Sequence, residues 1–370
     1  MNYTYKTMKE ILAAYDEEGL IIALENLDVD VEEGASLAEL RERLLEAQKS
    51  YLSEMFYMLS EVDLRMLLKM KAQEGNFYVG PMEDEVTDDY LNVLETFERL
   101  FDLAIVYPDL EEMPDGGLEA CVSEEFLTLF EDYLQPERLG FSGYLDDAAR
   151  IIKGALYYYG AISLEKLFEL VHTNHGNMDF TFFNRVLSYK MILHHRYVSV
   201  DVGEEEYILA ADYEDFFDPS AIKAKEKRYG YRPLSKDELL DASAEDFIEE
   251  VASFEHLFDY FKNCELMDDQ TRELFHQVPD EILFDVFLSF TLELSRKVED
   301  PTEVVNAFFA SVEISGEMIL QEAKKLLMDH MNSLSRWAYL GYSEDQRPNK
   351  RLSTKNVVSM KAYLQKKDPS

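Results

Sequence analysis

The chain has 370 residues, of which 75 are acidic and 36 basic, giving a formal charge of −39. A field of that sign repels phosphate backbones and favours basic partners, so nucleic acid is left only a local basic face to bind. Hydrophobic content of 47%, with 23 Phe and 23 Tyr, suffices for two to four packed cores and excludes a disordered chain. Cys121 and Cys264 can build neither a disulfide framework nor a four-thiolate zinc site.

In chain order, Met8, Ile11, Leu12 and Tyr15 fall at helical spacing, and the pattern continues over 20–27 after Gly19. A second helix opens at Ser36, with Glu39 three residues on completing a capping box and Leu37, Leu40, Leu44 and Leu45 on its buried face. An acidic extended loop, 28–34, separates the two. The run from Gly34 through Ser36-Leu37 to Leu40-Arg41 and Leu44-Leu45 resembles SAP-like modules and the small N-terminal domain of transcription termination factor Rho. The resemblance implies a helix, extended loop, helix unit and nucleic-acid binding. Its Lys at the start of the second helix is absent here, and acidic side chains fill the loop.

Residues 51–73 read as one helix and 88–101 as another, followed by β-prone runs at 103–107 and 118–122 around a Pro/Gly-rich loop. Residues 145–159 form a helix stopped by Gly160; Ser163 caps a helix over 164–171; Asp179 or Thr181 starts a third over 180–191. Two strands, 197–200 and 207–209, then flank a turn at 201–204. Three helices and a closing hairpin is the order of a winged helix, and 51–142 reads as a degenerate copy of it. Winged helices bind surfaces and are seldom enzymes.

In a DNA-reading winged helix the third helix enters the major groove, which here offers Asn184, Arg185, Ser188, Tyr189 and Lys190. Residues 145–212 nevertheless carry ten acidic side chains against six basic ones. Basic character gathers just beyond: Lys223, Lys225, Lys227, Arg228 and Arg232, interleaved with Tyr229 and Tyr231, make an island suited to stacking on bases and gripping phosphates. A second island, from Arg347 through Lys367, forms the tail.

His172 and His175 are spaced i, i+3 at a helix end, and His194-His195 end the next helix. An i, i+3 pair shares a helix face and with a carboxylate could hold Zn or Ni. No Glu follows His172 as a metalloprotease requires, and favourable helix-end dipoles account for the pattern at lower cost, so no metal and no cofactor is expected. P-loop, dinucleotide fingerprint and nucleophile elbow are all absent.

From 243 to 334 the chain is helical, with Phe247, Val251, Phe254, Phe258 and Phe261 on one face. Asp300, Pro301 and Glu303 signal a helix start, with Val304, Val305, Phe308 and Phe309 behind them, and 318–331 supplies a last helix. The run Asn332-Ser333-Leu334-Ser335-Arg336-Trp337 up to Gly341 is similar to the segment preceding a zinc-binding SEC-C tail in bacterial multi-domain proteins, with Ser335 in place of Pro and no Cys or His downstream. Trp337 is expected to pack the end of the helical domain. The longest run without Asp, Glu, Lys or Arg, 154–164, is too short for a bilayer, which needs ~18 apolar residues, and the acids at 10 and 16–18 interrupt any signal-peptide core.

The expected fold is mostly α: a SAP-like helix-loop-helix over 1–50, tandem winged-helix-like modules over 51–142 and 143–220 with short β-hairpin wings, a basic linker over 221–242, a helical bundle over 243–343 and a basic tail over 344–370. The expected function is a non-enzymatic, cytoplasmic regulatory or adaptor protein contacting nucleic acid or a nucleoprotein through a local basic face. The alternative is an acidic protein-binding module, or a DNA mimic, directed at a basic protein partner. No membrane association is expected, and the sequence leaves the oligomeric state open.

Overall fold

The computed structural model describes residues 6–32, 34–79, 88–109, 118–176, 178–190, 197–244, 247–263, 280–298, 300–310 and 317–348. These residues are mostly helical, with two small antiparallel sheets. They divide into two compact units: Met1–Ala149 with Val171–His195, and Arg150–Leu170 with Arg196–Ser370. The helices Pro136–Tyr159 and Leu164–Asn174 each supply residues to both.

In the first unit, α1 (Met8–Ala14) is capped by a reciprocal Thr7–Glu10 box and α3 (Leu37–Ser50) by the expected Ser36–Glu39 box. Between them α2 (Glu17–Asn26) begins one turn earlier than the apolar pattern indicates. Asp16 accepts from Gly19 N (2.9 Å), so Gly19 lies inside a helix and the break falls at Tyr15. Arg41 reaches back to the carbonyls of Leu12, Ala13 and Tyr15, using charged donors to satisfy the exposed end of α1. The three helices are tied to the hairpin that follows. Tyr15 Oη donates to the Phe101 and Val106 carbonyls, and Gln48 Nε2 donates to those of Leu103 and Ala104.

The helix expected over 51–73 is two: α4 (Leu52–Met58) and α5 (Glu61–Ala72), broken where Ser60 and Asp63 form a capping box. That box is as strong a stop signal as the one at Ser36, and it overrides the continuing apolar periodicity. β1 (Asn76–Val79), α6 (Asp88–Asp102), β2 (Val106–Asp109) and β3 (Leu118–Val122) follow, then α7 (Glu124–Leu129). The expected 103–122 hairpin is a real antiparallel pair, Val106 opposite Val122. It is joined by β1, which the sequence pattern does not mark, in the order β1-β3-β2.

α8 (Pro136–Tyr159), β4 (Ala161–Ser163), α9 (Leu164–Asn174) and α10 (Phe180–Arg185) come next. In the second unit β5 (Tyr197–Val202) and β6 (Glu205–Ala210) form the second expected hairpin, and β4 adds a third strand in the order β4-β6-β5, the same pattern as the first sheet. Gly160, at φ +68, turns the chain from α8 into β4.

The region expected as a linker is ordered. α11 (Pro219–Tyr229) is capped by Asp218 with Pro219 in its first turn, and Gly230 ends it; α12 (Lys236–Asp241) carries its own Ser235–Glu238 box. A helical bundle follows: α13 (Ala252–Asn263), α14 (Asp280–Lys297), α15 (Thr302–Ala310) and α16 (Glu317–Ser333). Its core joins Phe254, Leu257, Phe261, Leu288, Val305, Phe309, Leu327 and Met331. Phe247 and Val251, expected on the first helical face, precede α13, and Phe247 packs edge-on against Tyr157. Among the described residues no helix is long and apolar enough to cross a membrane.

Candidate functional site

The third helix is the natural place to look for a binding face. Asp179 caps it by accepting from Phe182 N (3.0 Å), and after α10 the backbone widens into a π-helical turn, Val186–Lys190. Such turns re-aim the residues that follow and recur at functional sites. Here the wider turn carries Lys190 inward, to 5% side-chain exposure, with Nζ 2.5 Å from Asp146 Oδ1 and 2.8 Å from the Leu59 carbonyl. The other Asp146 oxygen accepts from Glu61 N at 2.7 Å. Burial pushes the Asp146 carboxyl above its usual range, against the pull of the Lys190 ammonium. Close by, the fully buried Asp63 receives Arg99 through Nε and Nη2 at 3.0–3.2 Å.

Arg185 is also engaged by its own chain. Its guanidinium lies 4.7 Å from the Tyr57 ring centroid and donates to Tyr57 Oη, while Tyr189 stacks on the same ring at 6.2 Å. Of the side chains expected to read bases and phosphates, Lys190 is buried, Asn184, Arg185 and Tyr189 are half-buried, and Ser188 is exposed. The two cations of the set therefore serve packing within the first unit. This removes the buried Lys190 from the side chains the third helix could offer to a groove.

The 223–232 island divides in two. Tyr229 meets the Tyr342 ring edge-on at 5.9 Å, and Tyr231 meets Tyr159 at 5.0 Å. Arg232, with 17% side-chain exposure, pairs with Glu238 (2.7 Å) and Glu249 (3.8 Å), donates to Ser335 Oγ (3.0 Å) and lies over Tyr158 (5.2 Å). These three half-buried residues therefore take part in packing within the second unit. Lys225 is half-buried, whereas Lys223, Lys227 and Arg228 stand exposed on α11, Lys223 in a 3.0 Å ion pair with Glu205. That partner belongs to an acidic neighbour. From Asp201 to Asp218 the chain holds eight carboxylates and no cation, and Asp201, Glu204 and Glu205 at the β5–β6 turn are exposed. The second basic island lies outside the described residues beyond Pro348, and within it Arg347 pairs with Glu344.

The histidine pair does not converge. His172 Nδ1 lies 2.8 Å from the Met178 carbonyl, and His175 is buried edge-on against Tyr144 at 4.2 Å. Among the described residues no group of three or more His, Cys, Asp and Glu is placed to hold a metal ion; His194 and His195 lie outside them. A histidine that sequence reasoning passed over is better placed. His330, fully buried in α16, has Nδ1 3.1 Å from Ser253 Oγ and Nε2 3.1 Å from Thr291 Oγ1, and burial lowers its pKa to about 4. Its position between Leu327 and Leu334 on an apolar stripe was the available signal. With both ring nitrogens engaged inside the bundle, it ties three helices together rather than activating a nucleophile.

Trp337 does more than close the helical domain. It joins Ala161, Tyr207, Leu209, Tyr213, Ile222 and Leu340 in a core beneath the second sheet, donating from Nε1 to the Tyr157 carbonyl at 2.8 Å. Its ring leaves no room beside Gly160, where a Cβ would fall 2.5 Å from Trp337 Cγ. Arg296 lies 3.6 Å above the Tyr157 ring centroid, and burial pushes the Tyr157 phenol up to about 12 despite that cation. No family model matches the chain, and comparison with curated proteins and with solved structures finds no significant match.

Proposed function

We propose that the chain is a non-enzymatic adaptor that binds a basic protein partner, with two winged-helix-like modules as its scaffold and a carboxylate-bearing wing as its contact surface. The twin strand orders β1-β3-β2 and β4-β6-β5, each preceded by helices, support the winged-helix reading. A cytoplasmic setting accords with the buried free thiol of Cys121. One observation carries the preference for protein over duplex. In the first unit the helix that would enter a groove buries Lys190 and stacks Arg185 on Tyr57, and in the second the β5–β6 turn exposes Asp201, Glu204 and Glu205. Salt-dependent duplex binding needs several cations on one face, and neither of these elements supplies them.

The test is binding of a fluorescent Lys/Arg-rich 20-residue peptide at low salt. Asp201→Lys, Glu204→Lys and Glu205→Lys together are expected to weaken it at least tenfold more than a control of equal charge change, Glu17→Lys, Glu18→Lys and Glu25→Lys. Equal losses from the two sets would sink the proposal. A second reading rests on the exposed Lys223, Lys227 and Arg228 of α11, which suit phosphate; it predicts retention of a short duplex that disappears when those three residues are reversed in charge.

A further inference from the structure

The outward face of α14 is apolar. Leu288, Thr291, Leu292 and Ser295 mark its buried side at helical spacing, and the opposite stripe holds Ile282, Val286 and Phe290, four residues apart and 53%, 63% and 44% exposed. Phe290 is also one wall of a crevice formed by α14, α15 and α16, lined by Phe287, Leu294, Val304, Phe308 and Leu327. Thr291 lines it too, but its hydroxyl is held by His330 and the Leu288 carbonyl, so the crevice offers an apolar side chain no polar competitor. Exposed carboxylates stand on the same segments: Glu293 on α14, in a 3.3 Å pair with Lys297, Asp300 before α15 and Glu303 within it. A stripe of apolar anchors beside an apolar crevice, on segments that carry exposed carboxylates, is the complement of a basic amphipathic helix.

The chain itself carries such a sequence. Val357, Met360 and Leu364 fall at i, i+3 and i+7 with Tyr363 beside them, among Lys355, Lys361, Lys366 and Lys367, and Asp368 is the sole acid beyond Asp345. Reach is sufficient. Arg347 lies 4.5 Å from the Tyr339 ring, and Trp337 lies 6.0 Å from Arg296 near the end of α14, so the chain leaves the described residues close to that helix. The nine steps from Pro348 to Val357 span up to about 30 Å. Along α14, Phe290 is about 9 Å and Ile282 about 21 Å from Arg296.

We propose that residues 354–367 dock as a basic amphipathic helix on the α14–α15 surface, setting Val357, Met360 and Leu364 against Val286, Phe290 and the crevice, with their lysines facing Glu293, Asp300 and Glu303. Zero-length carbodiimide cross-linking of the full chain, read by mass spectrometry, tests this. Bonds between Lys361, Lys366 or Lys367 and Glu293, Asp300 or Glu303 are expected within the monomer, and their yield should fall at least fivefold in Val286→Glu and in Met360→Glu. Val286 is solvent-facing, so the bundle itself should stay folded in Val286→Glu, checked by its cooperative urea unfolding. Cross-links confined to a dimer would assign the surface to a second copy and overturn the proposal. Cross-links spread evenly over other carboxylates, or insensitive to both substitutions, would reduce it to general charge attraction and equally overturn it.

Discussion

Lys190 and Asp146, separated by 44 residues, form an ion pair at 2.5 Å with the lysine almost wholly withdrawn from water. Removing one member of a buried pair leaves the other charge uncompensated, a loss of about 3–5 kcal/mol, whereas replacing both with apolar residues of similar volume is often neutral. Lys190→Met should therefore cost on the order of 3 kcal/mol in urea unfolding, and adding Asp146→Leu should restore part of it. A double variant as unstable as the sum of the singles would show that the two residues act independently.

His330 sets a pH dependence. Its folded pKa of about 4 lies below the unfolded value of 6.5. As pH falls from about 6.5 toward 4, the unfolded state takes up a proton that the native state refuses, so stability declines through that window, by on the order of 3 kcal/mol in all. Because the acidic surface also titrates there, the reading is a difference: the urea midpoint should fall more between pH 7.5 and 4.5 in the parent chain than in His330→Gln. Parallel pH profiles would refute the assignment.

Gly160→Ala should be among the most damaging single-methyl changes in the molecule. It adds left-handed strain of about 1–2 kcal/mol at φ +68 to the cost of overpacking Trp337, about 1–3 kcal/mol. Trp337 is the sole tryptophan, so its fluorescence reports directly. A red-shifted emission maximum and a lower unfolding midpoint are expected, and unchanged emission would contradict the close approach.

Arg232 and Lys227 come from one basic run yet should behave in opposite ways. Arg232→Ala strips charged hydrogen bonds from Glu238 and Ser335 and should cost about 2 kcal/mol. Lys227→Ala, on an exposed helix face, should stay within about 0.5 kcal/mol of the parent. Thermal unfolding of the two variants side by side distinguishes a packed residue from a surface one.

Local chemistry was legible wherever one helical turn or one hairpin contains the whole cause. Ser36 with Glu39, Asp179 before Phe180, Asp300 before α15 and the alternating runs of β5 and β6 all appear where their spacing places them. A cap or a strand pair depends on neighbours a few residues away. The third strands β1 and β4 escaped the same reading, since their partners are 39 or more residues distant and their own runs are only four and three residues long.

The direction of a charge was decided by tertiary structure alone. Arg185 and Lys190 look like phosphate ligands as letters in a row, but one meets the Tyr57 ring 128 residues back and the other a carboxylate and a carbonyl on two other segments. Likewise Tyr229 and Arg232 meet Tyr342 and Ser335, about a hundred positions downstream, and Tyr231 meets Tyr159, 72 residues back. A side chain's spacing shows which face of an element it occupies, but whether that face meets water or another segment depends on packing that only the folded chain brings together.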